Sequence, residues 1–84
     1  LDPHTLAHRA HSSYVERETR VEMIQENLVA ERVAIIFYTE LARYIGEGDP
    51  TTRRLIEDIL AKEEEHADEM ASLLDSFDPR EPMH

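Results

Sequence analysis

The amino-acid sequence predicts an all-α protein built as an antiparallel helical hairpin. Two long segments, residues 21–45 and 51–77, contain neither glycine nor proline and show no alternation of β-branched residues. In both segments apolar residues recur at spacings of three and four, which is typical of amphipathic helices. With 84 residues in total, the chain is long enough for one small domain. We expect helices over about residues 20–45 and 51–77.

The segment before the first long helix is less regular. Asp2 followed by Pro3 is a pair that starts helices, but two adjacent serines interrupt the pattern that follows. Thr19 and Glu22 have the spacing of a capping box, which predicts that the long helix begins there. We therefore expect residues 1–18 to be a separate N-terminal or crossover segment with at most a short helix. A chain that begins at leucine is expected to be a fragment or a processed product.

The connection between the two helices is short. Gly46 suits a helix end, and Asp49 followed by Pro50 suits an N-cap and first helical position. A four-residue connection returns the chain antiparallel to itself. The hairpin is thus expected to span residues 19–77, and residues 78–84, with two prolines, to form a flexible tail.

Composition excludes several classes of function. The formal charge is −10, from 9 basic and 19 acidic residues, so nucleic acid is disfavoured as a partner. The longest apolar runs are too short for a membrane span, and no signal peptide is recognisable, which predicts a cytoplasmic protein without membrane association. The chain has no cysteine to form disulfides or thiolate metal sites. A chain this short forms only a small core. We therefore expect it to be stabilised by oligomerisation, by a metal site of carboxylates and imidazole, or by a second half of the fold.

The predicted seam between the helices is apolar except near its middle. On the first helix it comprises Ile24, Leu28, Glu31, Ile35, Tyr38, Ala42 and Ile45. On the second helix it comprises Ile56, Ile59, Glu63, His66, Met70, Leu73 and Phe77. A carboxylate in such a seam costs several kcal/mol unless it is paired or coordinated.

Counting along the hairpin places the polar seam residues at one level. Glu31 lies 15 residues before Gly46, and Glu63 lies 15 residues after Gly48. At about 1.5 Å per residue, both lie roughly 22 Å from the turn. His66 follows Glu63 by three residues and shares its face. Two carboxylates and one imidazole suit iron or manganese, and would also accept zinc.

A simpler interpretation is that these residues are ordinary surface and core groups. Glu63 opens a run of three glutamates, and charged runs are usually solvated. A single histidine in a core is more often hydrogen-bonded than metal-bound. The seam positions, the matched level and the Glu-x-x-His spacing together favour a metal site. The neighbouring acidic residues Glu64, Glu65, Asp68 and Glu69 are predicted to be solvated.

With these motifs the sequence resembles a known family. Residues 26–74 look like the last two bundle helices of bacterioferritin-like proteins, and residues 2–14 are similar to the crossover that precedes those helices. The hairpin also resembles encapsulated ferritins, in which short two-helix chains build sites between them. In di-iron bundles two helices each supply a Glu and the other two each supply Glu-x-x-His. The resemblance implies half of a ferritin-like four-helix bundle, completed by dimerisation or by a missing N-terminal half.

The resemblance implies a ferroxidase centre and the residues that form it. The residue matching Glu31 binds or bridges metal, that matching Glu63 bridges the metal pair, and that matching His66 ligates one ion. Tyr38 matches a tyrosine that hydrogen-bonds near these ligands. The implied cofactor is a di-iron centre, with manganese or zinc as alternatives. Haem is not supported, because the family's haem-ligating methionine lies in the absent half and Met70 does not match it.

The implied function is Fe(II) oxidation with O2 or peroxide, for iron storage and detoxification. The sequence leaves open whether the chain is an enzyme; if it is one, a ferroxidase is expected. One alternative is a di-metal peroxidase or a manganese catalase-like protein with the same ligands. Another is a metal-free structural hairpin or fragment. The expected partner is a second copy, in at least a dimer, or the N-terminal half of a parent chain.

Two further features remain unassigned by the sequence. His4, His8 and His11 would share one face on a helix and could bind a surface metal, but the helicity of that segment is undecided. A second apolar stripe on the first long helix suggests burial against other subunits or against the N-terminal segment. It comprises Val33, Ile36, Phe37, Leu41 and Tyr44.

Overall fold

A computed structural model describes residues 2–77 as two helices. Helix α1 spans Pro3–Ile45 and helix α2 spans Pro50–Asp75. They pack side by side as an antiparallel hairpin measuring 70 × 27 × 14 Å. The prediction of an all-α helical hairpin is confirmed.

Helix α1 begins at Pro3, about 17 residues earlier than the position near residue 20 that the sequence favoured. Asp2 is the N-cap, and its Oδ1 accepts a hydrogen bond of 3.1 Å from the His4 backbone N–H. The Thr19 hydroxyl donates to the Val15 carbonyl at 2.8 Å, a bond within the helix, so Thr19 does not cap. Since no glycine or proline follows Pro3 before Gly46, nothing in the backbone stops the helix.

The turn forms from the residues that the sequence indicated. Gly46 ends α1 with a φ of 58°, which only glycine adopts without strain, and its N–H donates to the Ala42 carbonyl. Asp49 caps α2 and accepts hydrogen bonds from the hydroxyl and the backbone N–H of Thr52, at 2.6 and 3.1 Å. These bonds favour the carboxylate and lower the pKa of Asp49.

The far end of α2 is held by a side chain of α1. Helix α2 ends at Asp75, two residues earlier than expected, and Ser76 and Phe77 form a turn. The Arg17 guanidinium donates a hydrogen bond to the Phe77 carbonyl and lies 5.9 Å from the centroid of its ring. A cation here also complements the negative end of the helix dipole. The tail predicted over residues 78–84 lies outside the described residues.

The seam differs from the prediction at two positions of α2. Leu28, Ala42 and Ala67 are buried, and every predicted seam residue of α1 is buried or half-buried. On α2, however, His66 and Leu73 are exposed, and Ala67 and Leu74 take their places in the seam. Both sets are built from spacings of three and four residues. An alanine in the seam lets the two helices approach closely, which favours the observed set.

The hairpin leaves apolar side chains without cover. The second stripe of α1 is exposed at Val33, Ile36, Phe37 and Tyr44, whereas Leu41 is half-buried. The N-terminal segment does not pack on this stripe, because residues 3–16 continue the axis of α1 past the end of α2. In the part of the chain that the structure describes, neither helix combines the length and the apolar character needed to cross a membrane.

We predict that Arg17→Ala loosens the end of α2. Losing the charged hydrogen bond and the contact with the Phe77 ring should lower the free energy of unfolding by about 1 kcal/mol. Hydrogen exchange measured by mass spectrometry should become faster over residues 70–77. The exposed neighbour Arg20, changed to alanine, is the matched control. Equal exchange in the two variants would show that the Arg17 contact contributes nothing.

Candidate metal centre

The polar cluster forms at the level that counting along the two helices predicts. Glu31 comes from α1, and Glu63 and His66 come from α2. One ligand atom from each lies within 4.8 Å of the others. Among residues 2–77 this is the one group of three potential ligands that meets so closely. The register of the hairpin therefore brings together the three residues singled out in the sequence.

The three side chains differ in their exposure. The Glu31 side chain is 21% exposed, yet its Oε2 atom is fully enclosed and has no hydrogen-bond partner. The His66 side chain is 54% exposed, and its Nδ1 lies 4.0 Å from that oxygen, too far for a hydrogen bond. An enclosed carboxylate oxygen without a partner is costly. A cation between these groups would satisfy it, so the donors fit a metal ion.

The carboxylate of Glu63 raises the pKa of Glu31. When Glu31 is protonated it can donate a hydrogen bond to the Glu63 carboxylate, and this is the largest cause of its raised pKa. Burial of Glu31 and the negative charge of Glu63 raise the pKa further, while His66 lowers it. The metal-free cluster therefore carries an unfavourable pair of like charges at neutral pH, which a divalent ion would relieve.

The residues around the cluster include exposed acidic side chains and one half-buried tyrosine. The acidic residues Glu64, Glu65, Asp68 and Glu69 are exposed, as predicted. Tyr38 is half-buried on the seam, seven residues after Glu31, and its ring meets Phe37 edge-on with centroids 5.2 Å apart. Its hydrogen bond near the ligands stays a prediction. The exposure of His66 was missed because the heptad pattern admits either position 66 or position 67.

The family of the chain follows from comparison with known proteins. The model of the ferritin-like domain matches residues 4–78, which is most of the chain. The chain belongs to the ferritin-like domain family. No curated protein and no solved structure matches it. The ferritin-like superfamily includes iron-storage proteins, and its members typically bind iron, which agrees with the chemistry of the donor set.

We predict that Glu31→Gln stabilises this ferritin-like chain when no metal is present. The raised pKa of Glu31 means that its ionised form destabilises the fold at neutral pH. A neutral glutamine removes that cost, so the melting temperature at pH 7 should rise. The gain should shrink as the pH falls from the raised pKa to the ordinary glutamate value, because wild-type Glu31 is then neutral as well.

The matched control is Glu26→Gln, an exposed glutamate on the same helix. Melting curves recorded by circular dichroism in excess chelator, between pH 4 and pH 8, measure both variants. If Glu31→Gln gains no more than Glu26→Gln at pH 7, the like-charge pair is not a destabilising feature.

Proposed function

We propose that this chain is a di-iron carboxylate protein that oxidises Fe(II) with O2 or peroxide, in the manner of bacterioferritin-like proteins. The observation that carries the proposal is the convergence of Glu31, Glu63 and His66 around an enclosed carboxylate oxygen that has no partner. Membership of the ferritin-like family supports iron as the metal. Iron storage and detoxification are the roles that this activity would serve.

We propose that a second hairpin completes the centre. One chain supplies two carboxylates and one imidazole, and a pair of chains would supply the four carboxylates and two imidazoles of a di-iron bundle. If the chain is part of a longer protein, the other half of that protein would supply the same set. Either arrangement yields a four-helix bundle from two-helix units.

The partner is expected on the side of the cluster where His66 is exposed. Leu55 and Leu73 lie eleven residues before and seven residues after His66, about three and two turns away on the same line of α2. Both leucines are exposed. An apolar line that flanks the exposed ligand is the surface that a covering helix would need. A helix that covers this line would bury the His66 imidazole and exclude water from the metals.

The residues of the chain would have distinct tasks in this centre. Glu31 and Glu63 would hold and bridge the metal ions, and His66 would ligate one of them as neutral imidazole. Iron, when bound there, supplies one-electron redox chemistry toward O2 or peroxide. The half-buried seam residues Ile35 and Ile59 lie about one turn from the cluster on the side of the hairpin turn and would limit the entry of water from that side. A metal ion bound there would relieve the repulsion between the Glu31 and Glu63 carboxylates.

Manganese suits the same oxygen-rich donor set, so a di-manganese peroxidase or catalase is the competing function. It shares every ligand with the proposed ferroxidase. Turnover of hydrogen peroxide without accumulation of iron, in protein loaded with manganese, would favour it over iron oxidation.

We predict that Glu63→Gln slows Fe(II) oxidation by at least about tenfold, because it removes the bridging carboxylate. The formation of Fe(III) in air, followed by absorbance, measures the rate, and saturation is expected near one iron per chain. Glu64→Gln is the matched control, since it makes the same change on an exposed neighbour. Circular dichroism verifies that both variants keep their helices.

Two results would contradict the proposal. Fast oxidation retained by Glu63→Gln would remove Glu63 from the centre. Absence of any Fe(II) binding by a wild-type assembly that contains both halves of the bundle would mean that the chain serves as a structural hairpin.

We predict that Leu73→Glu prevents completion of the centre. A charge on the line that flanks His66 should keep the partner hairpin from docking, so iron oxidation and assembly should fall together. Val15→Glu is the control, because Val15 is 46% exposed and Leu73 is 47% exposed. Sedimentation velocity and the oxidation assay measure the two effects. Unchanged assembly in Leu73→Glu would mean that the partner covers another face.

A further inference from the structure

The N-terminal part of α1 extends beyond the hairpin as a single helix. Arg17 contacts Phe77, the last described residue, which follows the end of α2, so among residues 2–77 nothing from α2 packs against residues 3–16. These residues, which we call the overhang, continue for about 21 Å and are exposed throughout. A helix of about 12 to 15 residues without tertiary packing is marginally stable in water. The overhang therefore depends on local interactions to stay helical.

Three of the five histidines lie in the overhang. Because α1 is continuous from Pro3, His4, His8 and His11 occupy positions i, i+4 and i+7 of one helix. At roughly 100° per residue they fall within an arc of about 60°. Neighbours four and three residues apart on a helix have Cβ atoms about 5–6 Å apart. His8 can thus meet His4 on one side and His11 on the other.

The chemistry of this face suits a cation. Imidazole is the ligand that zinc, nickel and copper prefer among unmodified side chains without sulfur. Two histidines four residues apart on one helical face are a known arrangement for chelating zinc. Arg9, the nearest basic residue, lies roughly 100° or more around the helix from each histidine. Asp2, whose carboxylate caps the helix beside His4, offsets the positive end of the helix dipole.

We propose that the overhang is a second metal site, in which His8 together with His4 or His11 chelates a divalent cation of the zinc, nickel and copper class. His11 and Glu31 are 20 residues apart on the same helix, or about 30 Å, so the site is separate from the seam cluster. It does not depend on the proposed iron chemistry.

Chelation across one helical turn would also order the overhang. A cation that binds the two imidazoles in the helical conformation stabilises that conformation over the frayed one. The site therefore couples metal availability to the length of α1 that is folded. This coupling provides a readout that does not involve activity.

The test uses the full chain with Zn²⁺ as the probe. Histidine side-chain NMR signals should show His8 responding together with His4 or His11, with saturation at one ion per overhang. Amide hydrogen exchange over residues 3–16 should slow when Zn²⁺ is added. His8→Ala should lose both effects, because His8 belongs to both pairs.

Matched variants separate this site from the others. His66→Ala and His84→Ala should keep the response of the overhang, and His4→Ala and His11→Ala should each keep one pair and bind more weakly. The double variant His4→Ala/His11→Ala should lose binding as His8→Ala does. Unchanged zinc binding by His8→Ala would overturn the proposal. A zinc-dependent rise in the molecular mass of the assembly, without slower hydrogen exchange in the overhang, would also overturn it, because zinc would then bridge separate chains.

Discussion

The dominant interaction in this molecule is the repulsion between two carboxylates in the helix seam. Two carboxylates from facing helices meet at mid-length, and one of their oxygens is enclosed without a hydrogen-bond partner. In an otherwise apolar seam this arrangement is unfavourable until a positive charge arrives. The imidazole beside it is too distant to satisfy the oxygen directly. The ionised cluster therefore lowers the stability of the metal-free hairpin.

The remaining structure sets the register that brings these groups together. The turn has a glycine where φ must be positive and an aspartate that caps the next helix, so its length and direction are defined. Buried alanines at positions 42 and 67 bring the helices close, and Arg17 holds the other end of α2. Inserting one residue within α1 between Glu31 and Gly46 would rotate Glu31 by roughly 100° around the helix relative to the turn and separate the carboxylates.

Under the proposed function, the hairpin lacks part of its core and part of its metal centre for the same reason. Only three apolar residues of its described part are buried, and large apolar side chains are exposed on both helices. Its cluster has three donors where a di-metal centre needs about twice that number. Oligomerisation is one way in which a small chain gains the stability that its own core lacks. In the proposed four-helix assembly, the partner that covers the exposed apolar side chains would also supply the remaining ligands.

The sequence alone determined the helical class, the turn and the level of the cluster. These depend on local signals: uninterrupted helical spacing, a glycine, an Asp-Pro pair and equal counts of residues on either side of the turn. Tertiary packing decided which of two adjacent heptad positions entered the seam, and so left His66 exposed and buried Ala67. The start of α1 at Pro3 was not predicted from the sequence, because a capping signal at Thr19 competed with the cap at Asp2 that the helix uses. The contact between Arg17 and Phe77 joins residues 60 positions apart, and only the folded hairpin brings such distant residues together.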